Sequence, residues 1–441
     1  MKFLGKYIGL LLMGVLLINI SYFTFRYESF HLIVQYIVLF VLYLFLANQK
    51  KHFSIKELIA LGILFRLLLL LLTPNLSEDV YRFLWDGKLW WEGIDAYAFL
   101  PSELARQNIL SAELYAQLNS PNYYSIYPPL NQLIFAVGAV FENTTLGIIT
   151  IRLFIILAEI GSLILLTKVL KQYRKDPKLL ILYAFNPLVI LELSGNLHFE
   201  AFVILFLLWA IYEFEKNRSS KSALALGLAI SFKLLPLLLL ASFFRKLNLK
   251  QYIKFILLAC LVAAITFLPF LFSDALKGIS TSTSLYFQNF EFNASLYYLV
   301  REIGFTVKGY NIIGTAGPLM GIIAFSGMVI FNILASSKMK LPERMLWTYM
   351  IYFLFATTVH PWYVLPILVL GILSHYKFPV LWSFLVFFTY WGYNQFFTYW
   401  GYNQLGFQEH LGIVVVEYIS LMIFIVFELI NKIKTNRQLY A

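Results

Sequence analysis

The sequence predicts an all-α membrane protein, a polytopic bundle of about twelve transmembrane helices that uses residues 1–441 as one domain. Three observations carry this expectation. Hydrophobic residues make up 60% of the chain and charged residues 13%, against roughly 25% charged in a soluble domain. The apolar residues fall in blocks, among them Leu146–Leu170, Leu179–Leu193, Leu257–Phe272 and Leu411–Ile430, near the ~20 residues that cross a bilayer as helix. Hydrocarbon offers backbone groups no partner except their own helix, so such blocks are helical. Phe, Tyr and Trp reach 18%, which suits aromatic belts at the two membrane surfaces.

Taken in order, the first block, 5–25, follows Lys2 and Lys6 like a signal peptide. It lacks a small-x-small cleavage site and reads as an uncleaved helix. Further crossings are expected at 31–48, 56–73, 146–170, 179–194, 200–215, 252–272, 311–335, 344–359, 362–374, 379–392 and 411–430. Two stretches fit poorly as simple crossings. Residues 127–142 are marginal in length and read as re-entrant or tilted. The apolar run 222–244 carries Lys233 and Pro236 at its middle. A lysine at mid-membrane costs ~3 kcal/mol and proline breaks a helix, so a re-entrant hairpin of two half-helices, open to a cavity at Lys233, is expected. Large loops fall at 74–124 and 273–310, and a smaller one at 393–410. Residues 387–395 and 396–404 repeat the nine letters FFTYWGYNQ, a local duplication too short for a solenoid. The single cysteine, Cys260, excludes an intramolecular disulfide.

Net charge is +11, yet its distribution argues against a nucleic-acid partner. Lys and Arg gather at helix ends, as in Lys50/Lys51, Lys171/Arg174/Lys175/Lys178, Lys216/Arg218/Lys221, Arg245/Lys246/Lys250, Lys338/Lys340 and Lys432/Lys434/Arg437. That is the positive-inside pattern of a protein whose partner is membrane lipid. Loop 74–124 has the opposite balance, with seven carboxylates against Arg82, Lys88 and Arg106. The expectation is a multi-pass protein of the cell membrane with this loop, and any active site in it, extracytoplasmic.

The first large loop opens with SEDVYRFLWDGK, residues 77–88. Ser77 suits a helix N-cap. On that helix Asp79, Arg82 and Asp86 share one face, and with Glu78 they could serve as base and substrate clamp. The plainer alternative is a solvated helix held by Glu78–Arg82 and Asp79–Arg82 pairs. His198 and Glu200, in NLHFE, lie between two apolar runs, either as functional groups or as helix ends in the headgroup zone. Lys233 either snorkels or meets a phosphate. Gln288 and Asn293 in QNFEFN, and His360 and Tyr363 in HPWY, mix amides, ionisable groups and aromatic rings, which suits sugar binding and equally an interfacial belt. No His/Cys cluster or Asp-x-Asp pair specifies a metal, and Walker A and Rossmann glycine patterns are absent, which argues against nucleotide use; no cofactor is indicated, and a divalent cation stays compatible with the sequence.

Together SEDVYRFLWDGKLWWEGIDAY (77–97), YPPL (127–130), NPLV (186–189), NLHFE (196–200), FKLLP (232–236), FEFNAS (290–295) and HPWY (360–363) resemble the GT-C superfamily of integral-membrane glycosyltransferases, specifically the bacterial polyprenol-phosphate-mannose-dependent, glycosyltransferase 87-like group. The resemblance implies an inverting transfer of a hexose, mannose above others, from a polyprenyl-phosphate donor to a lipid or glycan acceptor on the extracytoplasmic face. It maps the general base onto Asp79, with the adjacent acid Glu78 as the alternative base, and the leaving phosphate's cation onto Lys233 or Arg82. His198, Glu200, Gln288, Asn293, His360 and Tyr363 become expected substrate-binding residues. A lipid or polysaccharide flippase is the rival class. It would need polar groups lining a path through the midplane, whereas the ionisable residues here concentrate on one side. A protein O-glycosyltransferase would differ only in acceptor.

Overall fold

A computed structural model of the chain describes residues 2–270, 278–282, 284, 290–393 and 409–440. Among them the architecture is helical, and the single isolated β-bridge pairs Phe292 with Thr358. Six helical stretches are long and apolar enough to cross a membrane: Gly5–Phe23, Ser29–Asn48, Thr144–Gln172, Leu249–Phe270, Ile313–Leu334 and Leu411–Lys434. The pair Pro177–Ala184 and Pro187–Gly195, bent by 57°, is apolar enough together for a broken seventh span or a re-entrant loop. Twelve full-length crossings are therefore not reached among the described residues. The runs at 56–73, 200–215, 344–359, 362–374 and 379–392 hold α-helices of 13, 16, 15, 11 and 8 residues. At 1.5 Å per residue even 16 residues reach only about 24 Å, short of a ~30 Å hydrocarbon core. Hydropathy reads through the turns and 3₁₀ segments that divide these runs.

The basic helix ends come together. Lys6 pairs with Glu57 at 3.0 Å, Lys50 with Asp176 at 2.8 Å and Lys432 with Glu343 at 2.5 Å. Lys178 donates to the Lys51 carbonyl at 2.9 Å and Lys246 to that of Ser337 at 2.8 Å.

The central packing holds charges inside apolar runs. Arg66, on the helix Ile55–Leu67, pairs with Glu159 on the helix Thr144–Gln172 at 2.6 Å, both fully buried. Glu159 also accepts from Ser194 Oγ at 2.5 Å, and Arg152 donates to the carbonyls of Ser194 at 2.7 Å and Gly195 at 3.2 Å. The bent pair ends in a π-helical turn at Ile190–Gly195, and these side chains supply donors to carbonyls that the helix leaves unpaired.

Two further elements set the geometry around Asp79 and Lys233. The helix Asp79–Trp91 is crossed by the helix Pro129–Gly138, which at about 15 Å is too short to span alone. A Cβ on Gly87 would collide with the Phe135 carbonyl oxygen, so glycine is required there for contact rather than for backbone freedom. Gly87→Ala is expected to destabilise by about 1–3 kcal/mol, read as a lowered Tm in detergent. Gly314→Ala, which meets open space, should leave Tm unchanged, and a Gly87→Ala protein as stable as wild type would contradict the close crossing. The helix Ser219–Phe232 stops at Lys233, whose backbone is extended at φ −159° and ψ 137°. Asn131, on the crossing helix, donates to the Phe232 carbonyl at 3.1 Å. The expected break is present, but its second arm, Leu235–Phe243, is 3₁₀ rather than α, consistent with Pro236 at its start.

Candidate active site

Four segments far apart in sequence meet near the start of the helix Asp79–Trp91. Ser77 is not the N-cap: Glu78 occupies that position, and Ser77 Oγ accepts the Asp79 N–H at 3.3 Å. Asp79 Oδ1 accepts from Asn119 Nδ2 at 2.8 Å, and Oδ2 stands 3.9 Å from His198 Nε2. The Asp79 side chain is 23% exposed. Glu78 points elsewhere and pairs with Arg26 in the turn between the first two helices.

The expected Glu78–Arg82 and Asp79–Arg82 pairs do not form. Arg82 bonds Asp86 at 2.7 Å, one helical turn on, and both are buried. The guanidinium also donates to the carbonyls of Ser120 at 3.1 Å and Tyr123 at 2.8 Å. Asp86 Oδ2 accepts from Ser125 Oγ at 2.5 Å and Gln132 Nε2 at 3.1 Å. This pair fastens loop 120–125, which follows Asn119, to the helix. Of Asp79, Arg82 and Asp86, Asp79 alone is open.

His198 arrives through a reversal at Leu197, whose φ of +65° is rare outside glycine and marks a site where backbone strain is held by its surroundings. The imidazole Nδ1 lies 3.1 Å from Glu192 Oε2 and 3.0 Å from the Glu192 carbonyl oxygen. The ring stacks on Trp362 with centroids 3.7 Å apart, and Trp362 stacks on His360 at 4.5 Å. The bridge at Phe292 holds that aromatic ring 4.6 Å from His360. Burial, first of all, and the Lys233 ammonium nearby push the His360 imidazole well below its usual pKa.

Glu200 opens the helix Glu200–Glu215 and pairs with Lys233. The lysine does not snorkel. Its ammonium lies 3.8 Å from the centroid of the Tyr363 ring, and its side chain stays 26% exposed. Lys233 and Tyr363 line a cavity of about 390 Å³ together with the hydroxyl residues Ser125, Thr357 and Thr358 and apolar groups such as Leu238, Phe267 and Gly321.

Asp79, His198, Glu200, Lys233, His360 and Tyr363 thus belong to one neighbourhood. Asn293 does not turn toward the cavity: its Nδ2 bonds Glu417 at 3.2 Å and its N–H bonds Glu409 at 2.5 Å. Gln288 and the second copy of the repeat lie outside the described residues, as does most of loop 393–410. Within the described part of the first copy, Phe387 is buried and stacks on Tyr36 at 3.6 Å. Sequence reading passed over Glu192, Asn119 and Trp362. Glu192 had a signal, a carboxylate inside the apolar run 179–194; Trp362 sat unremarked within HPWY.

A 147-residue stretch is 30% identical to alpha-(1->6)-mannopyranosyltransferase B of Corynebacterium glutamicum, covering 32% of this chain and 24% of that protein. The chain therefore matches about a quarter of that relative's length. Residues 11–246, which include Asp79, His198, Glu200 and Lys233, match the family described as alpha-(1->6)-mannopyranosyltransferase, N-terminal domain. That match spans more than half of the 441 residues, and with the stretches SEDVYRFLWDGK, NLHFE and FKLLP inside it, the protein belongs to the alpha-(1->6)-mannopyranosyltransferase family.

Proposed function

We propose that the protein transfers mannose from a polyprenyl-phosphate donor to a glycan or lipid acceptor, with inversion, on the extracytoplasmic face of the cell membrane. The observation that carries this reading is the placement of one open carboxylate, Asp79, and one ammonium, Lys233, around a neighbourhood that continues into an apolar cavity. A lipid phosphate needs those surroundings: apolar walls for the chain and a cation for the head.

In this mechanism Asp79 takes the proton of the acceptor hydroxyl as its oxygen attacks the anomeric carbon. The bond from that carbon to the phosphate oxygen breaks, and its electron pair leaves with the phosphate. Lys233 stabilises the charge that grows there. Glu200 holds Lys233 in place before the donor arrives, and Tyr363 provides an aromatic face beside it. Glu78, turned toward Arg26, is poorly placed as the base. Arg82 and Asp86 position Asp79 rather than touch substrate. His360 presents a hydrogen-bonding ring, and Trp362 offers an aromatic flank.

The protein in nanodiscs, incubated with polyprenyl-phosphate mannose and an α-1,6-linked mannose oligosaccharide, is expected to give an acceptor heavier by one hexose. Transfer from a nucleotide-activated mannose, with none from the lipid donor, would overturn the donor assignment.

A further inference from the structure

We propose that His198, held by Glu192, receives the acceptor proton from Asp79, making the base a Glu192–His198–Asp79 relay instead of a lone carboxylate. The inference rests on the reading of Asp79 as general base. Its grounds are geometric. His198 Nδ1 faces two acceptors, the Glu192 carboxylate at 3.1 Å and the Glu192 carbonyl at 3.0 Å. A nitrogen between two acceptors carries the hydrogen, which leaves Nε2 with the lone pair in the neutral ring. That Nε2 is buried, has no hydrogen-bond partner, and is 3.9 Å from Asp79 Oδ2. A buried nitrogen without a partner is costly to leave so. Here it points at the one atom in the neighbourhood that acquires a proton during the reaction.

The remainder of the surroundings fits a group that carries charge briefly. Glu192 is fixed by Asn196 Nδ2 at 3.0 Å and by the Tyr390 hydroxyl at 2.8 Å. The segment bearing it is clamped from behind by Arg152 and by Glu159 through Ser194. The Trp362 face against the ring suits an imidazolium, since an aromatic face attracts a cation. Asp79 Oδ1 is already occupied by Asn119, so Oδ2 is the oxygen left to take and pass the proton.

The steps balance. The acceptor O–H breaks and its hydrogen moves to Asp79 Oδ2, while the new glycosidic C–O bond forms and the phosphate departs with its electron pair. The proton then moves from Oδ2 to His198 Nε2, across a gap that closes by about 1 Å in the working complex. Asp79 is a carboxylate again, the imidazolium is flanked by Glu192, and water removes the proton before the next turnover. Glu192 acts through His198 and is a positioning residue; His198 moves a proton at Nε2.

The test uses the full chain with polyprenyl-phosphate mannose and the oligosaccharide acceptor. His198→Gln is expected to lower kcat by about 10–100-fold with KM for both substrates within about twofold of wild type. In His198→Gly, added imidazole should restore part of the lost kcat, a recovery that a merely structural role would not show. Glu192→Gln, nearly isosteric, should lower kcat about tenfold and serves equally if the histidine variants do not fold. An inactive Asp79→Asn protein beside a His198→Gln or Glu192→Gln protein with kcat within about threefold of wild type overturns the relay and leaves the base intact. An active Asp79→Asn protein overturns the base itself.

Discussion

Asp79→Asn is expected to reduce sugar transfer by about 10²–10⁴-fold, the usual cost of losing a general base, while folding and donor binding stay close to wild type. The asparagine keeps an oxygen for Asn119 and nearly the same volume, so loop 120–125 should stay seated. The Arg82–Asp86 pair that fastens the loop is untouched. What disappears is the basic oxygen at Oδ2. Glu78→Gln is the matched control. Its carboxylate is spent on Arg26, so turnover should stay within about threefold. The reverse pattern, with Asp79→Asn active and Glu78→Gln inactive, would move the base to Glu78.

Replacing Lys233 should have the next largest effect, and it needs a paired design. Lys233→Met removes the partner of Glu200, which is nearly fully buried. Leaving one member of a buried pair without its counter-charge costs about 3–5 kcal/mol, so the single variant mixes instability with lost binding. Lys233→Met with Glu200→Gln removes both charges together and is expected to fold. A charge-assisted contact to phosphate contributes about 1.5–3 kcal/mol, so the double variant should bind the lipid donor about ten- to hundredfold more weakly. It should also turn over more slowly, because phosphate charge grows as the sugar departs. Lys233→Arg should recover part of the affinity, since it keeps charge but changes shape. Donor titration against the wild type and the double variant in one detergent reads this directly. Equal affinity and equal turnover would take Lys233 out of the site.

Much of the candidate site's layout was legible because its residues break local rules. Lys233 interrupts an apolar run beside a proline, and the chain does break there. Asp79 opens a helix in an acidic loop, and it stays partly exposed where Asp86, on the same face, is buried. What was not legible is how charges find partners across the fold. Arg82 offered two acidic neighbours upstream, and either could have bonded it. Burial of the helix face toward loop 120–125 selected Asp86 instead. Likewise Arg66 and Glu159 are 93 residues apart, and Glu192 and Tyr390 are 198 apart, separations at which spacing carries no signal. Their presence inside apolar runs was the visible clue, because a charge in such a run must be paired. The number of full-length crossings was hidden for a related reason. Short helices such as Glu200–Glu215, bounded by turns, and Phe378–Leu385, which runs on as the 3₁₀ segment Val386–Tyr393, read as continuous hydropathy.

A single displacement at the anomeric carbon, with Asp79 as base, is the chemistry on which the other assignments depend, and the stereochemistry of the product tests it most directly. A donor of defined anomeric configuration can be supplied and the new linkage read by NMR from its anomeric proton and carbon coupling. The expected product has the anomeric configuration opposite to that of the donor. A product that keeps the donor's configuration would require a covalent sugar–enzyme intermediate or an equivalent second displacement, and would contradict Asp79 as the base of a one-step transfer.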